Sequence, residues 1–305
     1  MNVSMQDTFN LGWKIASVVQ GTLHPEILQT YQQERLPVAE RLIALDQRIC
    51  RGMCSRWNED GETTQGRFED DHKRALKEEN SSASGLAVVY HPNLLVAGAE
   101  PVYGKELAPS RSKPHLAENL RVGARIPSML ILNQSDAQPC HLQQILPSTG
   151  QWNLIIFGAD IMDPRQMQQL SYLQEALGHP NSVVQKLNDQ ASATKCGFAS
   201  IGIYLIHCAN RLGIELHDLP EIFRPWTEDY GVDYNKAWVD EEAYHHAGGG
   251  QLYKSFGIGS EGCMMLLRPD QHLAFLSDMD DVQGLERFLI SITPEKRLGK
   301  NCSVS

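Results

Sequence analysis

The side chains best suited to chemistry in this sequence are its cysteines. There are seven, at irregular spacings: Cys50, Cys54, Cys140, Cys196, Cys208, Cys263 and Cys302. An odd number of cysteines in a chain of 305 residues favours reduced thiols in a cytoplasmic protein over a disulfide framework. The sequence contains no Cys-x-x-Cys, so the paired thiols of a dithiol oxidoreductase are missing.

Two pairs of residues have side chains that bind metals. Cys50 and Cys54 lie four apart on one face of a predicted helix, and His245 and His246 precede three glycines. A zinc site needs further ligands of comparable order, and neither pair has them at a suitable spacing. We therefore predict no metal site, buried or half-buried thiols for the two cysteines, and a surface loop for the histidines.

Cys140 raises the alternative of a thiol peroxidase. A peroxidatic cysteine must be an ionised thiol beside cationic groups, and Arg125 is the nearby candidate in the sequence. A nucleophilic serine would need an elbow motif, which no serine has here. No catalytic residue is predicted.

Composition narrows the class of protein. The chain is 42% hydrophobic and 21% charged, as in globular domains, and its net charge of −10 argues against a nucleic-acid partner. No apolar run approaches the roughly 18 residues of a membrane span. The first 20 residues carry polar side chains throughout, unlike a secretion signal, which again favours a cytoplasmic protein.

Three amphipathic helices are predicted before residue 55. The first is expected to begin near Asn2, end at Gly21, and bury one apolar stripe: Met5, Phe9, Trp13 and Ala16. The second runs through Ile27, Leu28 and Tyr31 until Pro37 interrupts or kinks it. The third buries a stripe made of Val38, Leu42, Leu45 and Ile49.

The C-terminal part alternates strands and helices. We predict, in order, a strand, a helix, a strand, a hairpin and a helix: Trp152–Ala159, Pro164–Leu177, Ser200–Cys208, Cys263–Leu267 with His272–Leu276, and Asp281–Ile292. This is the order of a thioredoxin-like α/β domain, in which helices flank a mixed sheet. The insertion 211–251 is expected to be ordered and packed on a surface, of this chain or of a partner, because of its aromatics: Trp226, Tyr230, Tyr234, Trp238 and Tyr244.

The opening of the chain resembles a motif of class A flavoprotein hydroxylases. The resemblance rests on the pairs Met1-Asn2, Gln6-Asp7, Asn10-Leu11 and Trp13-Lys14. It implies that the backbone amides of Met1, Asn2 and Val3, at a helix start, face the isoalloxazine of FAD. The segment Tyr31-Gln32-Gln33-Glu34-Arg35-Leu36-Pro37 also resembles this family, and its Glu34-Arg35 pair is expected to be structural.

The second half resembles the C-terminal domain of phenol 2-monooxygenases, a domain with no redox role. The matching segments are Gly123–Pro127, Trp152–Gly158, Tyr230–Asp233 and Leu266–Asp270. The resemblance implies the end of an FAD-binding domain at 1–55, a polar connection at 56–119 and a thioredoxin-like dimerisation domain at 120–305. It also implies a homodimer that hydroxylates an aromatic small molecule with FAD, NADPH and O2.

One departure limits this interpretation. The sequence has no Gly-x-Gly-x-x-Gly after a strand, so it lacks a cradle for the pyrophosphate of FAD. We therefore expect a fragment, a mis-started gene model or a degenerate paralogue that is inactive alone. The alternative is a stand-alone thioredoxin-like interaction module without chemistry.

Overall fold

The computed structural model describes residues 2–54, 88–99, 110–146, 148–194, 200–228 and 231–298. Its α-helices are α1 (Asn2–Val19), α2 (Gln29–Cys54), α3 (Pro164–Gly178), α4 (Val183–Thr194), α5 (Leu252–Phe256), α6 (Val282–Ile292) and α7 (Glu295–Leu298). Its strands are β1 (Leu130–Asn133), β2 (Pro139–His141), β3 (Trp152–Ala159), β4 (Ile201–His207), β5 (Trp226–Thr227), β6 (Gly231–Val232), β7 (Ala237–Val239), β8 (Cys263–Leu267) and β9 (Leu273–Ser277). Short 3-10 helices occupy Pro25–Leu28, Pro114–Leu116, Leu142–Gln144, Arg211–Gly213, Leu216–Asp218 and Glu221–Phe223.

A mixed seven-stranded sheet organises the C-terminal part, in the order β2-β1-β7-β4-β3-β8-β9. Its central strand β3 pairs in parallel with β4 and antiparallel with β8, and β8 continues into β9 through a hairpin. Every residue of β3 is buried, which requires cover on both faces of the sheet. The predicted mixed sheet flanked by helices is thereby confirmed.

Two hydrophobic cores lie on opposite faces of the sheet. Leu154 and Ile156 of β3 belong to one core, and Ile155 and Phe157 belong to the other, as the twofold period of a strand requires. Residues of α3, α4 and α6 fill the first core, and α5 contributes to the second. The sequence prediction missed α4 and the strands β1, β2 and β7. These elements are short or carry polar residues, so their periodicity is weak.

The two predicted helices around Pro37 are one. The helix α2 runs without a break through 26 residues with Pro37 inside it, so the predicted interruption is wrong. Proline removes one backbone donor and crowds the preceding turn, which tertiary contacts can outweigh. Here Glu34 and Arg35 are buried one turn before the proline, and Leu45 and Ile49 are buried after it. The latter two were predicted on the buried face.

The helix α1 is oriented differently from the prediction. Trp13 is buried as expected, but Met5 and Phe9 are exposed. The face that packs against the protein instead carries the polar residues Asn10, Lys14 and Ser17. Hydrophobic periodicity identified a stripe correctly, but it could not reveal that the contacting surface offers charged partners.

The segments 88–99 and 110–124 lie along the outer edge of the sheet. The backbone amides of Ala97, Lys113 and Gly123 donate to carbonyl groups of β9, at 2.8 Å each. The edge strand is thus paired and protected from association with other chains. The predicted connection at 56–119 lies largely outside the described residues, and its boundaries stay a prediction.

The insertion after β4 is ordered where the structure describes it. Trp238 is buried in β7, whereas Trp226, Tyr234 and Tyr244 are exposed, and Tyr230 lies outside the described residues. Trp238 thus packs within this chain, and packing of the three exposed rings on a partner stays a prediction. None of the helices in the described ranges combines the length with the hydropathy that a bilayer crossing requires.

Gly123 provides a test of this architecture. Its φ is +88°, and a Cβ atom would lie 2.1 Å from the carbonyl oxygen of Tyr90. We expect Gly123→Ala to lower the free energy of unfolding by about 2 kcal/mol or more, because of backbone strain and overlap. The control Gly178→Ala adds a Cβ with no neighbour within 4 Å at the end of α3, and should stabilise slightly. Equal changes in the unfolding free energy of the two variants, measured by urea denaturation, would contradict the close approach of Gly123 to Tyr90.

Candidate functional site

The start of α1 is the position predicted from the sequence to contact a flavin. The helix begins at Asn2, and no acidic side chain lies in its first turn. The first amides of an α-helix have no carbonyl partner within the helix, and they carry the positive end of its dipole. Val3 is half-buried, Met1 lies outside the described residues, and so does the side chain of Asn2. The assignment of these three amides to a flavin stays a prediction.

Four buried charged side chains hold α1 against the rest of the protein. Lys14 of α1, Glu34 of α2, and Arg268 and Asp270 after β8 are at most 2% exposed, and we call them the Arg268 cluster. At neutral pH the two cations balance the two carboxylates. Charges excluded from water are stable only with such partners and with their hydrogen bonds satisfied.

Arg268 makes two forked contacts within this cluster. Its Nη1 and Nη2 donate to the two carboxylate oxygens of Glu34 at 2.6 and 3.0 Å. Its Nε and Nη2 donate to the two oxygens of Asp270 at 3.0 and 2.6 Å. The guanidinium carbon also lies 5.4 Å from the ring centre of Trp13 and 5.1 Å from that of Tyr90. The planar guanidinium group suits both kinds of contact, which a lysine ammonium would not reproduce.

Side chains of α1 complete the hydrogen bonding of the carboxylates. Glu34 accepts from Lys14 Nζ at 2.8 Å and from Asn10 Nδ2 at 2.7 Å. Asp270 accepts from Trp13 Nε1 at 3.2 Å. Asn10, Trp13 and Lys14 lie within little more than one helical turn, so α1 is fixed along its axis and around it.

The charges shift the pKa values of the cluster. Burial alone would raise the pKa of Glu34, but Arg268 and Lys14 hold it well below its usual range. Burial also opposes ionisation of Asp270, and the adjacent Arg268 lowers its pKa nonetheless. Burial and repulsion by Arg268 lower the pKa of Lys14 to about 8. The carboxylates remain ionised at neutral pH, so the cluster is suited to holding structure and not to transferring protons.

Sequence reasoning missed Lys14 and Arg268. A signal was present for both. Lys14 follows Asn10 by one turn on the face opposite the apolar stripe, and Arg268 comes directly after an entirely buried strand. The expectation that Glu34 is structural agrees with its contacts. Arg35 lies outside the Arg268 cluster and forms its own ion pair, in which its Nε donates to Asp7 at 2.6 Å.

The other candidate residues do not form reactive sites. Burial raises the pKa of the Cys140 thiol, whose Sγ contacts Gln144, while Arg125 donates to Gln271. The thiolate that a peroxidase needs is therefore not supported. His245 and His246 are exposed in a loop, as predicted.

The prediction for Cys50 is wrong, because its thiol is exposed; the Cys54 side chain is not among those described. In this half of α2 the buried face is formed by Leu45 and Ile49, and Cys50 lies outside it. Within the described ranges, no group of three or more potential ligands is placed to hold a metal ion.

The fold and the site together define a class of protein. A mixed α/β domain, in a sequence that has no Cys-x-x-Cys, is joined through buried ion pairs to two N-terminal helices. The family follows from comparison with known proteins. Residues 88–297 match the family model "Phenol hydroxylase, C-terminal dimerisation domain", and residues 1–46 match the model "FAD binding domain". The chain belongs to the phenol hydroxylase dimerisation-domain family.

Individual relatives agree with this assignment. The chain is 31% identical to the FAD-dependent monooxygenase terD of Aspergillus terreus, over 97% of this chain and 46% of the relative. It is 31% identical to the phenol 2-monooxygenase fsqG of Aspergillus fumigatus, over 94% of this chain and 44% of the relative. A crystal structure of the flavin-dependent monooxygenase PieE, with FAD and substrate, has the same fold over 95% of this chain and 44% of its own, with a TM-score of 0.51 at 17% identity. The chain thus spans just under half the length of these relatives.

The Arg268 cluster joins the two matched regions. Lys14 and Glu34 lie in the region that matches the FAD-binding domain, and Arg268 and Asp270 lie in the region that matches the dimerisation domain. The bidentate contact between Arg268 and Glu34 is therefore an ionic link between the two matched regions.

Removal of Arg268 should be strongly destabilising. In Arg268→Met, the buried carboxylate of Asp270 loses its ionic partner. We expect the free energy of unfolding to fall by about 3–5 kcal/mol. A matched control is Lys113→Met, because Lys113 pairs with Asp278 at the surface and such pairs contribute about 1 kcal/mol or less. Chemical denaturation of both variants measures the difference. An Arg268→Met loss no larger than that of the control would contradict the role of the cluster.

Acid should weaken the fold through the same carboxylates. The folded-state pKa values of Glu34 and Asp270 lie below their unfolded values of about 4, so their stabilising contribution is complete above that pH and declines as the pH falls below it. Glu34→Gln removes one of these groups. Between pH 5 and pH 3, its unfolding free energy should decline by about 1–2 kcal/mol less than that of the unsubstituted protein. Parallel curves in urea denaturation would show that Glu34 titrates normally.

Proposed function

We propose that this chain is the C-terminal part of an FAD-dependent monooxygenase that hydroxylates a phenolic or related aromatic compound with NADPH and O2, as a homodimer. The observation that carries the proposal is the Arg268 cluster. It packs a segment that matches an FAD-binding domain onto a domain that matches a dimerisation domain, in one continuous fold.

The residues present fit one edge of the flavin. Backbone amides at a helix start favour negative charge, and α1 offers them without a neighbouring carboxylate. Amides of Met1, Asn2 and Val3 would hold the pyrimidine edge of the isoalloxazine and stabilise its anionic form. FAD, when bound, would carry the reducing equivalents of NADPH and activate O2. The sequence offers no glycine-rich cradle for the pyrophosphate, so residues outside this chain would hold that part.

The Arg268 cluster would keep these amides in position. Preorganised donors stabilise charge only if they do not have to reorient, and α1 is fixed by Asn10, Trp13 and Lys14. The two carboxylates of the cluster stay ionised at neutral pH, and Lys14 is buried in contact with Asn10 and Glu34. The contribution of this chain to catalysis is therefore orientation of the cofactor and assembly of the dimer.

A second candidate function is a stand-alone dimerisation module. Its support is that the dimerisation-domain model covers residues 88–297, which is most of the chain, and that the sequence has no Cys-x-x-Cys. The two functions differ in what they predict when the upstream part of a relative is attached: only the enzyme should then hydroxylate phenols.

The test joins the part of terD that precedes its matched region to Met1 of this chain. We expect residues 1–305 alone to dimerise and to lose added FAD on desalting. The fusion should retain FAD, and phenolic compounds should accelerate its oxidation of NADPH and yield hydroxylated products. A folded, FAD-loaded fusion that hydroxylates none of a panel of phenols would favour the module. Stoichiometric flavin on residues 1–305 alone would refute the expectation that the chain lacks the cradle.

A proline substitution in the fusion tests the amide contacts. Val3→Pro removes one N–H group at a position of the first turn that tolerates proline, and Val3→Ala keeps that N–H group. Val3→Pro should lower the midpoint potential of the bound flavin, because its anionic reduced form loses a donor. If Val3→Pro and Val3→Ala have equal potentials, the Val3 amide does not face the flavin.

A further inference from the structure

The turn that ends α1 leaves two carbonyl groups available to donors from elsewhere in the protein. In this turn the amide of Gly21 donates to the Val18 carbonyl at 2.9 Å, and the amide of Thr22 donates to the Ser17 carbonyl at 2.8 Å. Gly21 has a φ of +65°, which this kind of helix ending requires. The turn therefore uses the carbonyl groups of Ser17 and Val18, and those of Gln20 and Gly21 can accept from other partners.

Arg297 of α7 donates to both of these carbonyl groups. Its Nη2 lies 3.0 Å from the carbonyl oxygen of Gln20, and its Nε lies 3.2 Å from that of Gly21. The negative end of a helix dipole favours a cation, and the last turn of α1 has no basic side chain of its own. The cation at this end of α1 therefore comes from a residue 276 positions after Gly21.

Arg297 is itself held in place by the α/β domain. Gln190 of α4 donates from Nε2 to the Arg297 carbonyl at 2.6 Å and accepts from the Arg297 Nη1 at 3.4 Å. The next residue, Leu298, is 3% exposed and belongs to the first hydrophobic core. The chain after α1 is tied to the same region, because the His24 amide donates to the Ile292 carbonyl at 2.9 Å. Arg297 thus reaches α1 from a packed part of the protein.

The helix α1 is therefore held at two separate places. The Arg268 cluster holds it near Trp13, and Arg297 holds its C-terminal end. The contacts with the cluster span little more than one turn, so they resist tilting of this 18-residue helix less than a second anchor does. At 1.5 Å per residue, Trp13 lies about 10 Å from Gln20 and about 15 Å from Val3. A displacement at the C-terminal end is therefore enlarged about 1.5-fold at the start of the helix.

We propose that Arg297 is a positioning residue for the flavin: by fixing the C-terminal end of α1, it determines where the amides at the other end of the helix point. The identity of the ligand rests on the proposed function, whereas the attachment of α1 does not. Arg297 lies at the opposite end of α1 from the flavin contact and acts through the helix. The domain that matches a dimerisation domain thereby influences the flavin through two arginines, Arg268 and Arg297.

The first test measures the attachment of α1 in residues 1–305, without flavin. Arg297→Met keeps a long side chain and removes both hydrogen bonds to α1. Hydrogen exchange of the α1 amides should become about 5-fold faster along the whole helix, a factor typical of the net loss of one hydrogen bond. The control Arg287→Met replaces an exposed arginine of α6 and should leave exchange in α1 unchanged. Faster exchange confined to residues 20–22 would overturn the proposal, because it would show fraying of the turn alone.

The second test measures the flavin in the fusion of the terD upstream part to residues 1–305. Arg297→Met should lower the midpoint potential of bound FAD, because displaced amides stabilise the anionic reduced flavin less. Arg297→Lys keeps a cation with N–H donors for the same carbonyl oxygens, so its potential should stay close to that of the unsubstituted fusion. Equal potentials for Arg297→Met and either of these two proteins would overturn the proposal. Arg297 is half-buried; if Arg297→Met does not fold, Arg297→Gln, which keeps one donor group, takes its place in both tests.

The proposed function can fail separately. A fusion that binds FAD and shows the expected difference in potential, but hydroxylates no phenol, would leave the role of Arg297 intact and remove the monooxygenase activity. An active fusion in which Arg297→Met changes neither the hydrogen exchange of α1 nor the flavin potential would do the opposite. A fusion that binds no FAD would overturn both the proposed function and the positioning of the flavin by Arg297.

Discussion

Arg268 is a cation with no access to water, and the placement of the N-terminal helices depends on how its charge is met. Two carboxylates accept four hydrogen bonds from it in forked pairs, and the guanidinium carbon lies over two aromatic rings. Such an arrangement tolerates little displacement, because a small rotation would break several hydrogen bonds at once in a region of low polarity. The cluster therefore contributes geometry more than net stability, which a well-packed apolar contact could have supplied equally.

This geometry connects the two halves of the molecule. The sheet and its two cores consist almost entirely of residues that follow residue 88. The first core extends toward α1 and α2 through Trp13, Leu23 and Ile27. The ion pairs of the Arg268 cluster fix the orientation of these two helices against the sheet. A rigid α/β domain thus carries a precisely oriented helix on its edge. In the proposed enzyme, the domain without redox residues would determine where the flavin amides point.

Much of the fold could be read from the sequence. The strand β3, the helices α3 and α6, and the β8–β9 hairpin have strong apolar periodicity or clear turn and cap signals, and the predicted bounds agree with the observed ones within a residue or two. Asp163 shows why: it caps α3 by accepting from the Arg165 amide, directly before Pro164. The continuity of α2 through Pro37 could not be predicted from the sequence, because it depends on burial of Glu34 against Arg268, 234 residues away.

The candidate site was harder to predict from the sequence than the fold was. A helix start at residue 2 was predicted, and the resemblance to flavoprotein hydroxylases gave it a meaning. The burial of Lys14 was not predicted, since lysine on a helix is ordinarily solvated and the tertiary position of Glu34 and Arg268 reverses that expectation. The inverted polarity of α1 has the same origin. Periodicity identifies an apolar stripe but does not say which of several surfaces will cover it.

The span of these contacts along the chain has a consequence for synthesis. Glu34 meets Arg268 across 234 positions and Trp13 meets Asp270 across 257, so α1 and α2 leave the ribosome long before Arg268 and Asp270 do. Contacts that close such long loops form late. During translation Lys14 can pair with Glu34, but the contacts of Glu34 and Trp13 with the hairpin after β8 are still missing. The helix α1 is thus made long before the residues that fix its position.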